Sequence, residues 1–456
     1  MLETHKSKKS SNYRSLKKIN RFISVINKKE GASCITTHLL LFVTSCDTEK
    51  EDVLEKGDEI QKVEIPSSDA TNPIVAGQMI VIHGEGFTAN SEIWIQPSPV
   101  TKAEGKEVKA EIISVSENGI SFITPKVSGQ CDILLRQNGK SQTLGSIYME
   151  EKDLESLSEY MYIIGGTEEN SPSLHKYDQS NNSFQKVSEL QKGYVIKFAL
   201  SGTNGNGIAY YFQDISASNK VSLCSYNLKT NKEHVICSDW LTKFNNSANG
   251  QAIGMIEGSL CGVECSWEKG FEIIQFGDNG TKTLIKTFPT SQLVAGKEVV
   301  KFYCEDDNLL FNYDSSSKSV LVTGSIQFKG EDDTSECLIS LNIKTGEIKM
   351  IRDEQSKIWF QTLSTGKQIL LLETDTEIDE TTIKTINPET LEAGNTLDVV
   401  KQYILHPVYN KQSNSICWKK HYESGYCIMQ YSLEDRTINE TIASLPYIET
   451  LFSIKY

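Results

Sequence analysis

Apolar and polar residues alternate through much of the chain, most clearly in VSLCSYNLKTNKEHVI, residues 221 to 236. One alternating run leads to Tyr226, a polar turn follows at Thr230 and Asn231, and a second run leaves it, which is the pattern of a β-hairpin. The profile recurs in weaker form at Tyr177, Phe276, Leu341, Ile386 and Tyr431, and successive anchors are 49, 50, 65, 45 and 45 residues apart. Strand-built repeats of roughly 40 to 50 residues predict a β-propeller, whereas a helical solenoid would show a 3.6-residue period. Six anchors predict six blades over residues 155 to 456.

Two more apolar runs precede most hairpins, such as 195–200 with 208–212 and 299–304 with 308–313, and these are expected as the inner strands of each blade. Only one run, 160–166, precedes the first hairpin, while the chain ends on an unpartnered run, 451–456. The C-terminal run is therefore expected to close the ring as the innermost strand of the first blade, leaving no open sheet edge.

Residues 62–148 hold shorter strands separated by turns at Asn118–Gly119, Ser128–Gly129 and Asn138–Gly139. Seven or so strands in under 90 residues predict a β-sandwich. Gly77, Ile80, Ile82, Gly84, Gly86 and Phe87, followed by Ser121, Phe122, Pro125 and Gly129, resemble the immunoglobulin-like IPT/TIG family. That resemblance implies either a spacer or a binding module. Trp94 is expected in the sandwich core. In the first propeller repeat, Gly165, Gly166, Tyr177, Asp178 and Phe184 resemble a kelch motif, similar to the central domain of the galactose oxidase group.

The first 45 residues carry nine Lys and Arg against two Glu, and end in the apolar run 35–45 ahead of Cys46. Eleven mostly apolar residues are too few to span a bilayer but suit the core of a secretion signal. Val43, Thr44, Ser45 and Cys46 resemble a bacterial lipobox, which implies lipidation of Cys46 and a lipid anchor as the only attachment to the membrane. The charged stretch that follows makes 46–61 an acidic flexible tether, and it also resembles the export tag of surface lipoproteins in glycan-utilising gut bacteria. The expected location is the outer membrane, on the cell surface or the periplasmic face.

Without the first 45 residues, 37 basic residues stand against 58 acidic ones, so the chain should repel nucleic acid. Of eleven cysteines, nine remain once Cys34 is removed with the signal and Cys46 is lipidated. Cys224 with Cys237, and Cys417 with Cys427, straddle turn centres and are candidate disulfides; packing as free buried thiols is the alternative.

Trp240, Trp267, Tyr313, His421 and Tyr422 are expected on the loops that join second to third strands and one blade to the next. Aromatic side chains held there by a rigid scaffold can stack on sugar rings. Four histidines, His175, His234, His406 and His421, fall on four different blades, and no sialidase-type box occurs. No cofactor or metal is expected. These features favour capture of a glycan or glycoconjugate, or scaffolding for an outer-membrane protein partner. A propeller-based polysaccharide lyase or hydrolase and a protein-interaction platform are the alternatives.

Overall fold

The computed structural model describes residues 60–455 except 72, 99–105, 117–118, 152–157, 167–170, 179–180, 182, 191–193, 202–206, 216–219, 243–250, 267–268, 278–279, 295, 305–308, 356, 423–424 and 443–445. The segment 1–45 expected as a signal, Cys46 and nearly all of the expected tether lie outside the described residues. Among the described residues every regular element is a strand, apart from one 3-10 turn at Thr290–Gln292.

Two antiparallel-rich sheets come first. One orders Gln61–Glu64, Met79–Glu85, Gly119–Ile123 and Glu111–Ser116; the other orders Ile74–Val75, Lys140–Glu150, Gly129–Gln137, Glu92–Pro97 and Val108–Lys109. Ile82, Ile120 and Phe122 of the first share one core with Ile93, Ile95, Ile133 and Leu135 of the second. Each such side chain contributes about 1.5–3 kcal/mol through its burial. Strand alternation corrects the expectation for Trp94. Ile93 and Ile95 face inward, so Trp94 between them faces outward, with the Arg136 guanidinium 4.5 Å from its ring centroid and its indole N–H donating to Glu92.

Six further sheets follow in chain order, an arrangement consistent with a β-propeller. The first holds Glu159–Gly166, Ser173–Asp178 and Ser183–Glu189, and the second Tyr194–Ser201, Ile208–Ile215, Lys220–Asn227 and Lys232–Thr242. Gln251–Ile256, Ser259–Ser266, Gly270–Phe276 and Lys282–Phe288 form the third. In the fourth, Ser319–Phe328, Ser335–Asn342 and Ile348–Asp353 follow a first strand made of two pieces. The fifth holds Ile358–Ser364, Ile369–Asp375, Glu380–Ile386 and Ala393–Val400, and the sixth Val408–Asn410, Ser415–Tyr422, Gly425–Ser432 and Ile438–Ile442.

The C-terminal strand, Tyr447–Lys455, pairs antiparallel with Glu159–Gly166 at the edge of the first sheet. It starts four residues earlier than the apolar run at 451 suggests. Gly165 is required there: a Cβ on it would lie 2.3 Å from the Tyr447 carbonyl oxygen.

The recurring hairpin has a physical basis in its turn. One residue after the anchor, Asn227, Asn342 and Asn387 each accept backbone N–H bonds from the turn through Oδ1, and Ser432 does so through Oγ. Five residues after the anchor, Asn231, Gly346, Leu391 and Arg436 all have positive φ, between 54° and 80°. A short polar side chain and a left-handed residue at fixed offsets reverse the chain in four of the sheets.

The fourth sheet departs from expectation. Val299–Tyr303 and Asn312–Asp314 do not form two successive strands; both pair with Ser319–Phe328, as two pieces of one interrupted first strand. Between them, Leu310 bridges in parallel to Ile253 of the third sheet, and Phe311 fills the space over Gly254, where a Cβ would lie 2.5 Å from its ring. This detour accounts for the long anchor spacing of 65 residues.

Neither candidate disulfide forms. Bulges in the second sheet place Cys224 opposite Val235 and Cys237 opposite Leu223, while Cys417 faces Gln430 and Cys427 faces Lys420. All nine described cysteines are free thiols, and all but Cys237 are buried.

Candidate functional site

In each of the six sheets the second strand passes to the third at one end, here called upper. The turns from first to second and from third to fourth strand lie at the other, lower end. The sandwich and the six sheets belong to one compact unit, Glu55–Tyr456, and the sandwich meets the lower ends of the third and fourth sheets. The Met79 amide donates to the Glu257 carbonyl at 2.6 Å, and Ser259 Oγ donates to the Met79 carbonyl at 2.5 Å. Thr283 Oγ1 pairs with His83 Nε2 at 2.9 Å. Met79 and Ile113 are buried in the same hydrophobic core as Ile253, Ile256 and Leu260.

Tyr313 belongs to this joint and not to a loop at the upper end. It pairs with Val320 beside the turn from first to second strand, and its hydroxyl donates to Glu257 Oε1 at 2.9 Å. Lys318 reaches the same Glu257 at 3.2 Å and Glu111 of the sandwich at 3.5 Å. Burial, then the neighbouring Glu257 carboxylate, pushes the Tyr313 hydroxyl well above the usual tyrosine range.

The other sequence candidates divide. Trp240 is in the last strand of the second sheet, but its side chain is outside the described residues, as is Trp267 entirely. His421 and Tyr422 end the second strand of the sixth sheet, at its upper end. As neighbours on a strand they face opposite sides of the sheet. His421 is exposed and packs against Tyr426, ring centroids 4.6 Å apart, and Tyr426 meets Tyr447 of the first sheet edge-on at 5.8 Å and 87°. Tyr422 donates to Glu440 at 3.1 Å on the other side. Burial, followed by the bond to Glu440, raises its hydroxyl to about 12.

Sequence reasoning missed a second group at the upper end, between the fifth and sixth sheets. Residues 401–407 replace the upper half of the sixth sheet's first strand and are pinned by buried side chains. Gln361 Nε2 donates to the Ile404 carbonyl at 2.7 Å, and its Oε1 accepts the His406 amide at 3.2 Å. Thr381 Oγ1 donates to the Gln402 carbonyl at 2.8 Å. His406 is held at φ 49°, and Tyr403 stacks on Trp359 with ring centroids 5.5 Å apart. The signal was the run QYILHP at 402–407, in which a tyrosine and a histidine stand just ahead of Pro407. Tyr426 and Tyr447 carried no local signal, because their meeting depends on the closure of the first sheet by the last strand.

Two aromatic groups thus lie at the upper ends of the fifth, sixth and first sheets, here together called the aromatic arc: Tyr403 on the buried Trp359, and His421, Tyr426 and Tyr447. Aromatic faces with a few fixed polar groups suit recognition of a partly apolar, partly hydroxylated ligand.

No family model matches the chain, and no curated protein matches it. Among solved structures, a DUF4784 family protein from Bacteroides caccae is similar at 10% identity over 87% of this chain and 99% of that one, with a TM-score of 0.39. TolB from Acinetobacter baumannii is similar at 11% identity over 75% and 81%, with a TM-score of 0.43. For the periplasmic gluconolactonase of Pseudomonas aeruginosa the identity is 10% over 68% and 96%, and the TM-score 0.32.

Proposed function

We propose that this protein is a lipid-anchored binding protein of the outer membrane, in which an IPT/TIG sandwich carries a six-bladed propeller that captures a glycan or glycoconjugate for an uptake system. One observation carries the reading: the sandwich is fixed to the lower ends of the sheets, and the aromatic arc lies at the upper ends. The sandwich therefore occupies the lower ends and leaves the upper ends open to a ligand. Tyr403, Tyr426 and Tyr447, half-buried at the upper ends, supply the stacking surface.

The test is a glycan array probed with the full chain carrying Cys46→Ala, with sugar release assayed in the same samples. Binding without product is the expected result. Product release would replace capture by a lyase or hydrolase. Silence in both assays, with a cell-surface protein recovered by cross-linking, would replace it by a protein-interaction platform.

A further inference from the structure

At the upper ends, one corner combines unused polar atoms with an exposed imidazole and two half-buried tyrosine rings. Tyr426 and Tyr447 stand at 87° to each other across the junction of the sixth and first sheets, and His421 leans on Tyr426 at 44°. The Tyr447 hydroxyl donates to Glu449 Oε2, while Glu449 Oε1 has no hydrogen-bond partner among the described residues. His421 is exposed, and among the described residues it engages only the Tyr426 ring. Lys419 donates to the Glu449 backbone carbonyl.

We propose that this corner, built from His421, Tyr426, Tyr447 and Glu449, is the subsite that seats a single neutral pyranose ring; the inference rests on the glycan-capture reading above. A pyranose presents a C–H face and a rim of hydroxyls. The C–H face suits a tyrosine ring, and the rim suits a fixed carboxylate oxygen and an imidazole nitrogen. A uronic acid or sulfated sugar would bring a second anion against Glu449. It would do so on a chain with 58 acidic and 37 basic residues after position 45. The two rings meet edge to face and so form no flat platform for a chain of sugars, which makes this corner suited to a chain end or a side branch.

The experiment titrates the full chain with Cys46→Ala against two probe sets, neutral oligosaccharides from mannan, xylan and glucan, and acidic ones from pectin and alginate. Wild type should bind a neutral probe and ignore the acidic ones. Tyr447→Ala and His421→Ala should each weaken that binding about tenfold, the loss of one stacking contact. Glu449→Gln, which changes no packing volume, should weaken it as well and reduce the discrimination against acidic probes. Tyr313→Phe, in the sandwich joint, should leave binding unchanged. Neutral binding that survives all three corner variants, or preferential binding of acidic probes, would overturn the corner while leaving glycan capture standing. If no sugar of either set binds wild type, glycan capture itself falls and the corner with it.

Discussion

Tyrosine, glutamate and lysine meet at both ends of the sheets, but their polar atoms are used differently. At the lower joint Glu257 accepts Tyr313 through its carboxylate and Met79 through its carbonyl, and Lys318 spans Glu257 and Glu111. Every one of those groups is satisfied within the chain. At the upper corner Glu449 accepts Tyr447 with one oxygen only, and His421 offers its ring nitrogens to solvent. A satisfied cluster of this kind rigidifies, whereas a half-used one on a rigid frame can take a ligand. The same three residue types therefore mark a structural joint in one place and a candidate site in the other.

The largest expected effect tests whether the joint is structural. Met79 has no exposed surface and sits in the core shared by sandwich and sheets. Met79→Ala should lower stability by about 2–5 kcal/mol, from lost burial and the cavity left behind. Urea unfolding followed by far-ultraviolet circular dichroism would measure it. Loss in one transition would mean that sandwich and sheets unfold together; an early, separate transition would show that the sandwich is only tethered.

A smaller effect is expected at the upper end. In Gly165→Ala the new methyl would press on the Tyr447 carbonyl, a backbone atom of the closing strand that cannot rotate away. The strain should cost about 1–3 kcal/mol. Because Tyr447 also forms the corner, sugar binding should weaken in the same variant, which Met79→Ala should not cause at temperatures where it stays folded. Equal stability loss with unchanged binding would separate strand closure from the site.

How much of this was legible in the sequence depends on how local each feature is. The hairpin repeat was legible because its turn uses a polar side chain and a left-handed residue at fixed offsets, as at Asn342 and Gly346. The pairing of the C-terminal strand with 159–166 was legible as two runs each lacking a partner. Tyr313 was placed at the wrong end for a traceable reason. Reading 308–313 as a second strand reverses its direction, and only the pairing of Asn312–Asp314 with Ser319–Leu321 shows it to be the tail of the first. The disulfide geometry failed on bulges that shift register without changing the residue pattern. Trp94 was misjudged by residue type where its alternation with Ile93 and Ile95 already pointed outward. The Tyr426–Tyr447 corner was beyond reach, since it joins strands brought together only when the first and last sheets meet.

Tyr313→Phe gives the smallest effect and the cleanest comparison of the two ends. It removes one hydroxyl from the joint and leaves the ring, so Glu257 loses one donor but keeps Lys318 at 3.2 Å. The expected cost is about 1 kcal/mol, near that of a single buried hydrogen bond. The pH dependence supplies a second readout. Burial, reinforced by Glu257, raises this hydroxyl above the ordinary value of 10, so the folded chain keeps a proton that the unfolded chain gives up. Its contribution is fully present below pH 10 and is lost as the pH rises toward the raised value, because unfolding then releases a proton. Wild type should therefore lose stability above pH 10 more steeply than Tyr313→Phe, and the two curves should converge at high pH. Parallel curves would mean that the hydroxyl is not held by Glu257, and any change in sugar affinity in this variant would break the division between a joint at the lower end and a site at the upper one.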